Sequence, residues 1–266
     1  MQKRVQSPSS IKTYNHCPRK YYYTYILQLE TPPNIHQLRG NIAHSVLENF
    51  FDIEAKEMSM ENYEAELKLK VQQLLLQEWQ NAKPKLDYLQ LTQDQKIFYF
   101  EETLIMLFNW LELFCTKIAK QEGTFQERFK KLTPQREQLF VSEKYSAKGI
   151  IDAIESQGDG TIRLMDYKTS SSENINEHLL QLAIYCLLYS DKHGTMPKQA
   201  GVYFLKGKER LVDVDDALLE MAKKEIEHIH SVTKTKDINH YPKNPGPLCK
   251  WSSGHCAFYD ICRPHE

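Results

Sequence analysis

Residues 149–169 read GIIDAIESQGDGTIRLMDYKT, two short apolar runs on either side of a Gly-Asp-Gly turn signal. Such runs predict the strands of a β-hairpin. With Gly158, Asp159 and Gly160 as a three-residue loop, opposed residue numbers add up to 318, which places Asp152 across from Asp166. Directly opposed residues hold their Cβ atoms about 4.5–5.5 Å apart. Lys168 lies two residues beyond Asp166, so strand alternation puts it on the same face. A two-residue loop would send the aspartates to opposite faces. Both carboxylates sit among apolar neighbours, where an unpartnered charge is costly. Opposed carboxylates are tolerated when a cation lies between them, so the pair reads as a divalent-metal site. The bland alternative is two solvated aspartates on an edge hairpin.

Around this hairpin the chain changes character near Pro134. Before it, apolar residues recur at helical spacing in a short segment from Ser7-Pro8 to His16, in residues 38–55, in about 60–82 and in about 92–122, with Pro84 between the last two. After it the order is β-β-β-α-β-(β)-α, with EQLFVSEKY as the strand before the hairpin and Gly194 closing the helix after it. The expectation is one mixed α/β domain: a mainly helical portion over about 1–133, an α/β core over about 134–240 and a cysteine-rich closure over about 241–266.

The 266 residues carry 41% apolar and 26% charged side chains with a net charge of −1, an ordinary globular composition. Binding to nucleic acid would therefore rest on local basic patches and metal ions. No apolar run is long enough to span a membrane and the N-terminus lacks a secretory core, so a cytoplasmic location is expected. Cys115 and Cys186 lie among apolar neighbours and read as core residues. Three of the other cysteines cluster in PLCKWSSGHCAFYDICRP, which favours metal ligation over disulfides.

Asp, hairpin, then Asp-x-Lys resembles the PD-(D/E)XK nucleases, and further motifs resemble their RecB-type exonuclease branch, including CRISPR-associated RecB-like nucleases and AddAB nuclease domains. A Gly-x-x-x-His motif appears as GNIAH (Gly40 to His44), Gly-x-x-Asp as GIID, Asp-Tyr-Lys-Thr intact as DYKT, and Gln-x-x-x-Tyr as QLAIY (Gln181 to Tyr185). The resemblance implies a restriction-endonuclease-like sheet flanked by helices. It implies Mg²⁺ or Mn²⁺ held by His44, Asp152, Asp166 and the Tyr167 carbonyl, with Lys168 orienting the attacking water. Gln181 and Tyr185 would lie beside the site, toward the DNA or Lys168. Glu143 is a further candidate ligand. Ala153 stands where the family often has arginine.

The same resemblance pairs Cys17, in CPRKYY, with Cys249, Cys256 and Cys262 as ligands of a [4Fe–4S] cluster that joins the two ends of the chain. The tail departs from the family spacing, with six residues between its first two cysteines and five between the last two. The rival reading is a zinc site of the tail alone, with His255 or His265 as fourth ligand. Arg19, Lys20 and the neighbouring tyrosines form either a track for a single strand or a packing cluster. The implied activity is a metal-dependent exonuclease on DNA, chiefly single-stranded ends, in repair, recombination, phage replication or CRISPR adaptation. No P-loop is present, so unwinding would need a helicase partner. A flap endonuclease, a non-catalytic DNA-end-binding subunit and a zinc scaffold are the alternatives.

Overall fold

Three antiparallel strands, β1 (Gln135–Ser142), β2 (Ala147–Ser156) and β3 (Ile162–Lys168), form one side of the main sheet in a computed structural model that describes residues 4–251 and 254–263. Ala153 pairs with Met165 and Ser156 with Ile162, so paired numbers add up to 318 as the three-residue loop requires. The Gln157 N–H donates to the Thr161 carbonyl at 2.8 Å, closing that loop. Gly160 takes φ +79°, a left-handed conformation that glycine enters without steric cost. Asp159 Oδ1 accepts from the Thr161 N–H at 3.0 Å and completes the turn. Strand β4 (Gln199–Phe204) then pairs parallel to β3, and β5 (Glu209–Asp213) antiparallel to β4, giving a five-stranded sheet in chain order.

The helices in chain order are α1 (Pro8–His16), α2 (Pro18–Tyr21), α3 (Ile35–Phe50), α4 (Tyr63–Asn81), α5 (Lys83–Tyr88), α6 (Gln93–Ala119), α7 (Phe125–Leu132), α8 (Leu179–His193) and α9 (Asp216–Val232). Ser7 caps α1 through a reciprocal capping box, and Gly194 ends α8 at φ +71°. Two details add to the sequence reading. Pro84 starts the short helix α5, since proline fits the first helical turn. Thr124 and Glu127 form a capping box that opens α7, a helix the apolar spacing alone does not announce.

Helices α3, α4, α6 and α7 bury Phe50, Leu107, Trp110 and Phe114 against Ala153, Met165, Tyr167 and Tyr203 on one sheet face. On the other face, α8, α9 and Ile11 of α1 pack against Ile154, Leu164, Val202 and Phe204. Cys115 and Cys186 are buried in these two layers, one in each, and burial pushes their thiols up to about 11 and about 12. This is a mixed α/β sheet flanked by helices, as the sequence predicts. Among the described residues no helix is long and apolar enough to cross a membrane.

Candidate active site

The β2–β3 ladder stops one pair short of the aspartates. Beyond Ala153 and Met165 the next opposed pair would be Asp152 and Asp166. There Asp152 Oδ2 accepts the Tyr167 backbone N–H at 2.7 Å, so a carboxylate takes the donor that a neighbouring strand would otherwise use. The Tyr167 carbonyl is 2.9 Å from His44 Nε2. A carbonyl only accepts, so Nε2 carries the proton and Nδ1 is left to face Asp152 Oδ2 at 3.4 Å and Glu137 Oε1 at 3.9 Å. α3, which carries His44, runs beside the end of β3, where a Cβ at Gly40 would make an ordinary contact of 3.6 Å with Thr169 Oγ1.

Asp166 is held from the other layer. Gln181 Nε2 donates to Asp166 Oδ1 at 2.8 Å and to the Tyr185 hydroxyl at 2.7 Å. Lys168 Nζ lies 2.5 Å from Asp166 Oδ2, a buried oxygen with no regular hydrogen bond among the described residues. The Tyr185 ring in turn rests on Gly149, where an added Cβ would come within 2.9 Å of it. Glycine at 149 thus admits the tyrosine that positions Gln181.

Glu137 is the residue that sequence reasoning missed. Its neighbours Arg136 and Gln138 pair with Ala153 and Ile151, so Glu137 stands opposite Asp152, and it does so at φ +47°. A non-glycine residue in the left-handed region inside a strand stores backbone strain, a feature common at functional sites. Ligand atoms of His44, Glu137 and Asp152 all lie within 4.8 Å of one another. Glu143 is not on the strand at all. It opens the β1–β2 turn, where it is exposed, and β1 ends before it at Ser142. Had that four-residue turn been located in the sequence, counting back from it would have paired 137 with 152.

The site is electrostatically tense without a cation. Burial first, and then the neighbouring Asp166 charge, push the Asp152 carboxyl up to about 7. For His44 burial is the largest effect and opposes protonation, but the Glu137 hydrogen bond and the charges of Asp152 and Asp166 outweigh it and raise its pKa. A groove of about 430 Å³ opens beside these groups, bounded by His36, Gly40, Asn41, His44, Glu137 and Thr169.

A family model described as the PD-(D/E)XK nuclease superfamily matches residues 6–263. The chain belongs to the PD-(D/E)XK nuclease superfamily. The nuclease's fold is similar to a crystal structure of a Eubacterium rectale protein provisionally named an exonuclease, at 15% identity and a TM-score of 0.53, over 99% of this chain and 88% of that one. No curated protein matches it.

The nuclease's donor set fits a hard divalent ion: the carboxylates of Asp152 and Glu137 and an imidazole nitrogen of His44, with Asp166 beside them and its Oδ2 paired to Lys168. One lone pair of the Tyr167 carbonyl is taken by His44 Nε2.

The four cysteines outside the core lie half-buried and free at the junction of the two chain ends. Cys17 sits between α1 and α2. Cys249 and Cys256 flank a tail hairpin of β6 (Lys250–Trp251) and β7 (Gly254–His255), tied by the Cys256 N–H to the Cys249 carbonyl at 2.9 Å. Cys262 ends α10 (Tyr259–Cys262); burial, then the neighbouring Cys17, raise its thiol pKa. Among the described residues no three of these sulfurs lie within 4.8 Å of one another. Thiolates on one tetrahedral zinc stand about 3.8 Å apart. His255 is exposed and its Nδ1 is 3.0 Å from the Cys256 carbonyl; His265 lies outside the described residues.

The neighbouring cations and tyrosines mostly serve packing. Arg19 Nε donates to the Tyr241 carbonyl at 2.7 Å, and its guanidinium thereby ties the first helices to residues near the tail. Tyr21, Tyr22 and Tyr23 are buried with Tyr241 and Phe258. Lys20 is exposed.

Proposed function

We propose that this nuclease is a divalent-metal-dependent exodeoxyribonuclease that acts on DNA ends, chiefly single-stranded ones. The observation that carries this reading is the cluster of His44, Glu137 and Asp152, whose ligand atoms lie within 4.8 Å of one another beside the Asp166–Lys168 pair, with His44 and Glu137 opening onto a groove. His44 Nδ1, Asp152 and Asp166 would hold Mg²⁺ or Mn²⁺, with Glu137 completing the set. A bound ion of this kind activates water and stabilises charge on a phosphoryl oxygen. Lys168 swings between two duties: it neutralises Asp166 in the metal-free site, and in the working site its ammonium orients the attacking water and stabilises negative charge developing at phosphorus. Gln181 keeps Asp166 in place, and Tyr185 in turn holds Gln181. The buried tyrosines and the engaged Arg19 favour a packing role for the CPRKYY segment, which leaves Lys20 as its cation toward DNA.

The four half-buried thiols are read as ligands of a structural [4Fe–4S] cluster rather than of a zinc held by the tail alone, because Cys17, from the other end of the chain, lies near enough to act on Cys262. In this reading the chain is one nuclease domain whose two ends the cluster joins.

The test is incubation of anaerobically purified protein with end-labelled single-stranded and duplex DNA in Mn²⁺ or Mg²⁺, beside Lys168→Ala. Metal-dependent release of label that disappears in the variant is expected, and the label lost first gives the polarity. Binding without cleavage in either metal would replace this reading with that of an end-binding subunit.

A further inference from the structure

The β1–β2 hairpin runs on past the metal cluster, and one of its faces there is bare. Phe140 packs against Tyr189 of α8, and the Tyr185 ring rests on Gly149, so residues 140 and 149 face the α8 layer. Strand alternation turns their neighbours Leu139, Val141, Lys148 and Ile150 to the opposite side, where α3 lies. Helix α3 reaches only as far as Arg136, which pairs with Asp52 at 2.8 Å just past the helix end. Beyond it Leu139 is 56% exposed, Val141 58% and Ile150 48%.

The register makes this a shelf of two ranks. Leu139 pairs with Ile150, and next Val141 pairs with Lys148, which is exposed and has no ion pair among the described residues. The first rank stands two residues from Glu137 and Asp152, a step of about 7 Å along a strand. Isolated exposed apolar residues need no explanation, but three adjoining ones beside a functional cluster mark a contact surface. Three side chains fall well short of the ~800 Å² per partner that a stable dimer buries. They suit a nucleobase, whose faces are apolar and whose backbone carries the charge that Lys148 would meet. Glu143 and Lys144, at the turn beyond, end the shelf with opposite charges.

We propose that this shelf seats the nucleotide adjoining the scissile phosphate. Its base would lie on Leu139 and Ile150, and its outer phosphate would meet Lys148. A base inside a duplex is stacked on both faces and has none to offer, so the shelf selects single strands. The inference rests on the reading of this protein as a nuclease of single-stranded ends, and it names the residues that would set that preference.

The test is binding of labelled single-stranded oligonucleotides, followed by fluorescence anisotropy in Mn²⁺ with Lys168→Ala as the parent, so that cleavage does not consume the probe. Leu139→Ser with Ile150→Ser should weaken binding about fivefold or more, the low end of what a base gains on a side chain. The melting temperature of this double variant should stay that of the parent, because both side chains are exposed in the free protein. An abasic residue moved along the strand should weaken parent binding at one position and leave the double variant indifferent there. Lys148→Ala should lower the slope of log affinity against log salt by about 0.7. Weakened binding in the double variant together with no cleavage by the native chain would keep the shelf and remove the exonuclease reading. No binding by the parent, binding indifferent to the double substitution, or abasic sensitivity that persists in it would overturn the proposal. So would a parent dimer that the double substitution dissociates in sedimentation, which would assign the patch to a second copy.

Discussion

Gln181 holds Asp166 by a hydrogen bond of 2.8 Å across the boundary between helix and sheet. The same nitrogen reaches Tyr185, so the amide has no freedom to turn. Groups that orient a metal ligand in this way are commonly worth about 10–100-fold in metal affinity or activity. Gln181→Ala should therefore lower DNA cleavage within that range and shift the Mn²⁺ dependence to higher concentration, read from rates across a metal titration. Gln181→Glu should do worse, because a carboxylate cannot donate and repels Asp166.

Gly149→Ala forces a methyl to within 2.9 Å of the Tyr185 ring and 3.3 Å of Leu188. Overpacking of this kind costs about 1–3 kcal/mol. The expected result is a lowered melting temperature together with lowered activity, as Tyr185 is pushed off Gln181. Gly158→Ala is the control, since nothing lies within 4 Å of the added carbon, and it should change neither quantity.

The metal-free protein should lose stability as pH rises from about 4 to about 7 through Asp152. Its carboxyl titrates near 3.8 when unfolded and near 7 when buried beside His44, Glu137, Asp166 and Lys168, so the unfolded chain gives up its proton first. Asp152→Asn removes that penalty. Its melting temperature in EDTA should exceed the wild type's at pH 8 and converge with it near pH 4, the gap at pH 8 being at most about 4 kcal/mol. Saturating Mn²⁺ should reverse the order by stabilising only the wild type, with about 2.7 kcal/mol expected at a hundredfold excess over Kd.

Protein purified without oxygen should be brown, with about four irons and four sulfides per chain and a broad absorption near 400 nm on the cluster reading. Cys17→Ala should remove the colour even though the three tail cysteines remain. A colourless protein carrying one zinc that survives Cys17→Ala would point to the tail alone.

The hairpin was legible because loop length and strand period are both integers: the Gly158–Gly160 loop and the spacing of Asp152 and Asp166 leave one register. Gly194 and Ser7 were legible for a similar reason, as each supplies a conformation or acceptor that a helix end needs. Glu137 was hidden because nothing local marks it. Its place depends on a turn with no glycine at its centre, and its left-handed backbone is imposed by the surrounding sheet. Glu143 looked like a strand residue because VSEKY continues the apolar run, but the chain reverses there with Ser146 at φ +48°. The CPRKYY cations and aromatics carried two readings of equal chemistry. Burial, which sequence composition does not report, separates them: Tyr21 is fully enclosed, and Arg19 is spent on the backbone of residue 241.

The loop at 158–160 works as a ruler. Its side chains act only locally, Asp159 on Thr161 and Lys198, and Gly158 is free to drift. Its length is not free. One residue added or removed would put β2 and β3 out of phase, sending Asp152 and Asp166 to opposite sides of the sheet while the core residues around them lost their places too. Divergence in this chain's relatives should therefore run through substitution at the hairpin tip, with insertions confined to turns whose count no carboxylate depends on.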